Sequence, residues 1–594
     1  MSTTTPRRSV DAIDRRVGLM FGAVMVLLLL GVLRAGYLGT VRSSALRQAA
    51  TDQQVQTLPV PALRGEITDR NGVAYAISEP AEAIYADPML IDKTYRNLTS
   101  VAAALAPLVG RTTASTLALL RHPRLGYVEL AADVSVATAD RIMSLQVGGS
   151  VGINGIWDVP TERRVYPRGS ELAQVIGWVG GNKGLDGLEY EFNKQLAGRA
   201  GVRKTVIDAQ GRAIAVTTAK AVVPGQNIRL TISAPLEAEV QSVLDGVGAQ
   251  YKPQGATAIV TDPQTDQILA LANWPSLNLD HIPATALSSV HGRLPAAEDQ
   301  AVDFSYEPGS TFKAVTVSGA LQDGLITPST VIRIPPYLQA YGHIVTDAET
   351  HGWENLSIAQ ILKFSSNIGA VEIGKRLGPE RFGHWVSEYG FGRPTGVALP
   401  GEQRGIVLQP SQYSGFSMYN LPFGQGISVT PMQMIQLYDT VADGGVLHTP
   451  QIIQSIGGHR VPEPKGRRIV SAKVARELRY MLRGVLADGG TASGAAIPGY
   501  DMAGKTGTAQ VAVNGQYSAT KFVASFVGMV PASKPQLVVL VVVDDPQGSI
   551  YGGSVAAPAF QKIVGWAVPH FGIDPCPPKA CPASAMHPAM PPTP

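Results

Sequence analysis

Residues Val17–Leu33 (VGLMFGAVMVLLLLGVL) form an apolar run without a single charged side chain. A helix that is apolar all round has no polar face to turn to water. In a bilayer, about 20 such residues span the hydrocarbon while the helix satisfies its own backbone. Arg34 closes the run, and with its guanidinium snorkelling to the surface the span extends to Leu38. A cleaved signal peptide is the competing reading. The run is long for a signal core and no clean small-x-small cleavage site follows, so an uncleaved anchor over 17–38 is expected. Arg7, Arg8, Arg15 and Arg16 precede it, while Arg34, Arg42 and Arg47 follow. That thin bias and the short leading segment put a tail over 1–16 in the cytoplasm and everything after the span outside. A single-pass protein of the plasma (inner) membrane is expected.

The 594 residues are too many for one core, so two or more domains are expected beyond the anchor. The formal net charge of +3 argues against nucleic acid or an acidic polymer as partner. Both cysteines, Cys576 and Cys581, fall in the last twenty residues, which excludes cysteine nucleophiles and zinc–thiolate sites from the folded domains. The ten histidines show no pair at ligand spacing on a helix, so neither metal nor cofactor is expected.

A polar stretch over 39–60 with loose helical spacing suits a juxtamembrane stalk. A pedestal domain of mixed α/β structure is assigned to 61–245. It opens with Arg64-Gly-Glu-Ile-Thr-Asp69-Arg-Asn-Gly72, whose Asn-Gly signals a hairpin turn between short strands. Thr99–Val147 alternates apolar patches with Ala-rich helical segments. Arg163-Arg-Val-Tyr-Pro-Arg168-Gly leads into a strand-like Gln174–Val179, Gly187-Leu-Glu189 starts a helix, and Thr205–Val216 reads as a hairpin around Gln210-Gly211. No nucleophile constellation, metal cluster or phosphate loop stands out in this region, which reads as an elongated scaffold.

Composition loosens over Asp245–Gly255, and a second domain is assigned to 250–571. Gly255–Ala272 reads strand, turn, strand. Phe522–Val530 and Leu537–Val543 form another hairpin, with helical patterns between, including Ser357–Leu377 and Ser471–Leu486. Strands at both ends and helices between predict an α+β domain, an antiparallel sheet closed by the domain's own termini and flanked by helices. Residues 572–594 are Pro/Ala-rich and expected to be disordered.

Three short motifs follow one another in this second domain. Ser310-x-x-Lys313 comes after a Pro-Gly turn at a helix start, where positions i and i+3 share a face and the dipole disfavours a charged lysine. Ser365-Ser366-Asn367 interrupts a helical pattern, and Lys505-Thr506-Gly507-Thr508 precedes the last hairpin. Each alone is weak, and each of the first two has a decoy. Ser518-Ala-Thr-Lys521 leads into a strand, where i and i+3 face apart, and Ser276-Leu-Asn278 precedes the nucleophile in a Pro-flanked loop. The ordered set points to acyl transfer. Ser310 is the candidate nucleophile and Lys313 its base. Asn367 would orient Lys313 and a substrate amide, and Ser365 would relay a proton to the leaving amine. Lys505 would depress the pKa of Lys313 and attract a carboxylate. Gly507 would let an extended peptide lie along the strand edge, and the backbone N–H groups of Ser310 and Thr508 would form the oxyanion hole.

With these motifs the chain, from Val17 to Phe571, resembles a class B penicillin-binding protein, a membrane-anchored peptidoglycan D,D-transpeptidase. The Arg64–Gly72 block, Tyr166-Pro-x-Gly169 and Gly187-Leu-Glu189 match that family's pedestal; Glu307–Lys313, Ser365–Asn367 and Ala503–Gln510 match its transpeptidase motifs. Gly424–Met432 (GQGISVTPM) and Leu399-Pro-Gly-Glu402 look more like the division branch than the elongation branch. The resemblance implies a serine-type D-Ala-D-Ala transpeptidase that cross-links stem peptides through a Ser310 acyl-enzyme, releases the terminal D-Ala and is acylated by penicillins and other β-lactams. It further implies Lys505, Thr506 and Thr508 as carboxylate contacts. As partners it implies a glycosyltransferase of the shape, elongation, division and sporulation (SEDS) type and division-complex proteins, met through anchor and pedestal in septal wall synthesis. An elongation- or sporulation-type enzyme is the alternative. A β-lactam-hydrolysing or sensing protein shares the motifs but not the long pedestal, and a silent cell-wall scaffold would not need the motifs intact.

Overall fold

In the computed structural model, residues 10–46, 48, 55–122, 125–147, 150–181, 183–207, 213–283, 296–513 and 515–576 are described. The chain forms two units, Met1–Ala62 with Arg199–Val223, and Leu63–Gly198 with Pro224–Pro594. In the first, helix α1 (Val10–Thr40) has 31 residues, about 46 Å at 1.5 Å per residue, and is long and apolar enough to cross a membrane. Its side chains from Val17 to Leu33 are exposed. Strands Val55–Val60, Gly201–Ile207 and Ala213–Lys220 form an antiparallel sheet with the second in the middle. The helical stalk expected over 39–60 therefore ends in a strand, because Val55–Val60 finds a partner for its backbone groups in Gly201–Ile207. The hairpin expected over 205–216 has both arms in place, and its turn at 208–212 lies outside the described residues.

In the second unit, Ile67–Thr68 and Ala74–Ala86 pair around the Asn71-Gly72 turn, as the sequence signal required. Ala74–Ala86 also pairs with Val128–Ser135 and Ile156–Val165. Helices Leu98–Leu105, Thr113–Leu120 and Val136–Met143 cover these strands around Ile84, Leu105, Leu130 and Ile142, each started by a side-chain cap from Asn97, Thr112 or Ser135. The strand expected at Gln174–Val179 is instead one helical turn, Ala173–Ile176, with all four side chains buried. An apolar run this short has no period to separate helix from strand.

The Arg64–Gly72 block is a structural lock. Arg64 pairs through Nε with Glu189, which also takes Arg164 at 2.6 Å, and all three side chains are buried. Asp69 Oδ1 accepts the N–H groups of Asn71 and Val73 at 2.7 and 2.8 Å, fixing the turn, while Oδ2 accepts the Ala234 N–H at 3.1 Å. That last bond ties the hairpin to the first residue of helix α2 (Ala234–Tyr251).

The stretch 245–255, where the domain boundary is expected, takes in the last turns of α2. Gly248 within it is a packing residue: a Cβ there would lie 2.1 Å from Trp274 Nε1. The sheet of the preceding region also takes in a later strand, since Ile228–Leu230 pairs in parallel with Ile67–Thr68 and antiparallel with Ile453–Ile456.

Strands β1 (Gly255–Asp262), β2 (Gln267–Trp274), β3 (Ala503–Val513), β4 (Gln516–Val530) and β5 (Leu537–Asp544) form an antiparallel sheet in the order β2-β1-β5-β4-β3. Its two ends in sequence meet, with Ala256 opposite Val543, so the domain closes on its own termini as expected. Helices α3 (Lys313–Gln322), α4 (Ile358–Lys363), α5 (Asn367–Glu388), α6 (Pro431–Ala442) and α7 (Gly552–His570) flank it. Alternate residues of β5 join opposite cores: Val539, Val541 and Val543 pack with Val240 of α2 and Phe560 of α7, and Val538, Leu540 and Val542 with Val315 of α3 and Ile435 of α6. Burial on both faces explains why β5 reads as a continuous apolar run, although its sheet is antiparallel. Past α7, Ile573 is buried and the Cys576 N–H donates to Gly499 O at 2.8 Å, so packed chain runs beyond the expected limit at 572. Residues 577–594 of the expected tail lie outside the described residues.

Candidate active site

Ser310 sits in a tight turn, Gly309–Phe312, that feeds directly into α3, whose first residue is Lys313. Lys313 Nζ lies 2.9 Å from Ser310 Oγ, the contact that the i, i+3 spacing required. The turn is braced from outside: the Gly309 N–H donates to Gly424 O at 3.0 Å, and Glu307 Oε1 accepts the Gly426 N–H at 3.0 Å. Tyr306 and Val429 exchange both backbone hydrogen bonds. The Gly424–Met432 stretch, conspicuous in the sequence, thus shapes the platform on which Ser310 stands.

Ser365, Ser366 and Asn367 form the joint between α4 and α5. Ser365 ends α4 with φ +61°, a left-handed conformation that glycine usually supplies and that costs a serine on the order of 1 kcal/mol. That twist aims both of its oxygens at Lys313 Nζ, the carbonyl in a short contact and Oγ at 3.3 Å. Ser366 caps α5, its Oγ accepting the Gly369 N–H at 2.9 Å. Asn367, the first residue of α5, accepts Lys313 Nζ at Oδ1, 2.8 Å away.

Lys505 lies on β3, an edge strand. Its Nζ donates to Ser365 Oγ at 2.9 Å and to Thr506 O at 3.1 Å. Thr506 Oγ1 is 2.9 Å from Thr491 Oγ1, and Thr508 Oγ1 accepts the Gly552 N–H at 3.1 Å. The structure gives Gly507 a different reason from the sequence. A Cβ there would lie 2.2 Å from Ser525 Oγ on β4, opposite it, and 3.0 Å from Pro308 O in the turn before Ser310. The glycine lets β3 lie flush against the Ser310 turn.

Both amines are fully buried. Burial pushes Lys313 down to about 7, with the negative charge of Asp347 opposing the shift. Burial, and then the charge of Lys313, hold Lys505 well below the usual lysine range. The expected influence runs the other way: Lys313 depresses Lys505, and the cause of Lys313's own shift is burial. Lys313 is therefore suited to accept a proton near neutral pH, and Ser365 Oγ lies within reach of both amines.

All eight site residues expected from sequence fall in one region. Gly309, Ser310, Asn367, Thr508, Tyr517 and Phe522 are among those lining a cleft of about 420 Å³. The decoy Ser518-Ala-Thr-Lys521 lies on β4, as the strand argument held. Sequence reasoning missed Asp347, which approaches Asn367 from a loop 20 residues upstream, a distance with no periodic signature.

Comparison with known proteins agrees with this architecture. The penicillin-binding protein transpeptidase domain matches residues 256–565 and the penicillin-binding protein dimerisation domain residues 59–230. Stage V sporulation protein D of Bacillus subtilis (strain 168) is 30% identical over 577 residues, covering 94% of this chain and 85% of that protein. Peptidoglycan D,D-transpeptidase FtsI of Escherichia coli (strain K12) is 30% identical over 588 residues, covering 96% and 95%. Among solved structures, penicillin-binding protein 3 of Mycobacterium tuberculosis complexed with aztreonam superposes with a TM-score of 0.66 at 28% identity, over 88% of this chain and 98% of that one. With both domains present in order and relatives matched along nearly their whole length, the chain belongs to the class B penicillin-binding proteins, the peptidoglycan D,D-transpeptidases.

Proposed function

We propose that Ser310 is the nucleophile of this transpeptidase and Lys313 its general base. The observation that carries the reading is the convergence of Ser310 Oγ, Ser365 Oγ and Asn367 Oδ1 on the buried Lys313 amine. Lys313 takes the Ser310 proton as Oγ attacks the carbonyl of the penultimate D-Ala of a donor stem peptide. The bond to the terminal D-Ala breaks, and that amine leaves with a proton passed through Ser365. An amine of a second stem peptide then attacks the ester, restores the Ser310 hydroxyl and completes the cross-link. Lys505, Thr506 and Thr508 receive the donor carboxylate, and an extended peptide adds to the free edge of β3 at Gly507. The N–H groups of Ser310 and Thr508 receive the oxyanion. A β-lactam enters as the donor does and remains as the acyl-enzyme.

In this reading α1 anchors the chain in the cytoplasmic membrane with residues 1–16 inside and the catalytic domain outside. Anchor and pedestal engage a SEDS-type glycosyltransferase and division proteins during septal wall synthesis. Similarity to FtsI supports the septal role. Similarity to a stage V sporulation protein supports a second reading, synthesis of spore wall. Depletion separates the two, since loss of a septal enzyme gives filaments and loss of a sporulation enzyme leaves vegetative growth intact.

The test of the site is chemical. The protein is incubated with a fluorescent penicillin, digested, and the adduct located by mass. The adduct is expected on the peptide containing Ser310 and absent from Ser310→Ala. An adduct elsewhere, or labelling of Ser310→Ala, overturns the assignment.

A further inference from the structure

Asn367 holds the Lys313 amine, and something must hold Asn367. Its backbone N–H donates to Asp347 Oδ1 at 2.5 Å, and the next N–H, of Ile368, donates to the same oxygen at 3.0 Å. Asp347 Oδ2 accepts Ser366 Oγ at 2.6 Å and faces His351 Nε2 at 3.1 Å. The Asp347 side chain is only 11% exposed. Ser366 caps α5 through the Gly369 N–H alone, and Asp347 takes the two N–H groups before it. An ionised group taken so far out of water persists only where donors converge on it, and here three do, with His351 a fourth when its ring is protonated, since its Nδ1 faces Gly352 O.

The neighbouring residue completes the clamp. Asn367 Nδ2 donates to Thr346 O at 3.1 Å. With the amide nitrogen held there, Oδ1 is left facing Lys313 Nζ. Reversed, the amide would set its NH₂ against an amine and its oxygen against a carbonyl. The loop Thr346-Asp347 thus fixes both where Asn367 starts α5 and which way its amide points.

We infer that Asp347 is the positioning residue of this active site, holding Asn367, and through it the Lys313 amine, in place to receive the Ser310 proton. The inference rests on the roles proposed for Ser310 and Lys313. Asp347 touches neither reacting atom, so it acts through Asn367. Its charge has a second effect, favouring the protonated form of Lys313 against burial.

The experiment is a cycle of full-length variants, Asp347→Asn, Asn367→Ala and the pair together. The second-order rate of acylation by a fluorescent penicillin is measured across pH, with thermal melts as the check on folding. Asp347→Asn is expected to slow acylation roughly 10- to 100-fold, the scale of a small misplacement of a catalytic group. The acid limb of its pH profile moves to lower pH, since Lys313 loses the charge that favoured its protonation. A residue needed only for folding would lower the amplitude and leave the limb in place. The double variant is expected to be no slower than Asn367→Ala alone, because both changes cut one chain of contacts. Wild-type acylation in folded Asp347→Asn, or losses that multiply in the double variant, overturn the inference. If the Asn variant does not fold, Asp347→Glu carries the same cycle, with loss of rate expected through displacement of Asn367. A penicillin adduct away from Ser310 sinks the site assignment and this inference with it. An adduct retained on Ser310, with Asp347→Asn as fast as wild type, overturns this inference alone.

Discussion

Lys505 Nζ and Ser365 Oγ meet at 2.9 Å, and the same hydroxyl lies 3.3 Å from Lys313 Nζ. One serine oxygen therefore stands between two buried amines. Two positive charges in so dry a site would repel strongly, and burial already disfavours each. Burial, and then the charge of Lys313, accordingly hold Lys505 well below the usual lysine range. In the proposed role, an incoming carboxylate would favour the charged form of Lys505 and oppose that shift.

The pH dependence of acylation follows from Lys313. As the proposed base, Lys313 must be neutral to take the Ser310 proton, and burial lowers it to about 7. The acylation rate is therefore expected to rise with pH through about 7 and then level off, the free protein's base setting the acid limb. Lys505→Ala should keep that midpoint, since the shift of Lys313 comes from burial, while raising the penicillin concentration needed. Lys313→Arg should lose roughly 10²- to 10⁴-fold, because a guanidinium does not give up its proton. Stopped-flow acylation at a series of pH values checks all three; a flat profile from pH 5 to 9 would count against Lys313 as base.

Gly507→Ala tests whether the glycine serves the substrate or the fold. The new methyl would lie 2.2 Å from Ser525 Oγ, so β3 must shift or Ser525 must move, an overpacking that costs about 1–3 kcal/mol. Adding Ser525→Ala should recover most of the lost melting temperature. Acylation should stay slow in the pair, because the methyl still meets Pro308 O at 3.0 Å and Thr311 Cγ2 at 3.1 Å beside the nucleophile. Melts and acylation rates on the single and double variants decide it. A wild-type rate in Gly507→Ala would show that the Ser310 turn tolerates the methyl.

What could be read from sequence was what local chemistry dictates. Ser310 and Lys313 share one helix start, so three residues of spacing sufficed to join them. The paired strands β1 and β5, nearly 300 residues apart, were legible because their apolar runs bracket the helical patterns. Asp347 was not legible: it reaches Asn367 from a loop, and no spacing rule links the two. The helical end of the 245–255 stretch was hidden for a related reason. Gly248 looks like a linker residue until Trp274 is seen lying against it. Thr508 was read as a carboxylate contact, and no spacing rule announces that its oxygen also receives the first N–H of α7 from 44 residues away.

Glu189 gives a prediction far from the chemistry. It is wholly buried and neutralises two guanidiniums that are themselves buried, Arg64 and Arg164, with side-chain exposures of 1% and 6%. Removing one member of a buried ion cluster leaves the others uncompensated, typically at about 3–5 kcal/mol. Glu189→Ala is accordingly expected to lower the melting temperature sharply. Glu189→Gln, which keeps an acceptor for one arginine, should lower it less. Arg64→Met with Glu189→Met should fall between, since it leaves only Arg164 without its partner. Glu189 does not line the cleft at Ser310, so protein folded at low temperature should still be acylated by penicillin at the wild-type rate. Calorimetry on the three variants, with acylation at 10 °C, checks the order. A Glu189→Ala protein that melts with wild type would mean that Arg64 and Arg164 find water or other acceptors, and that the conspicuous arginine block contributes little to holding the fold.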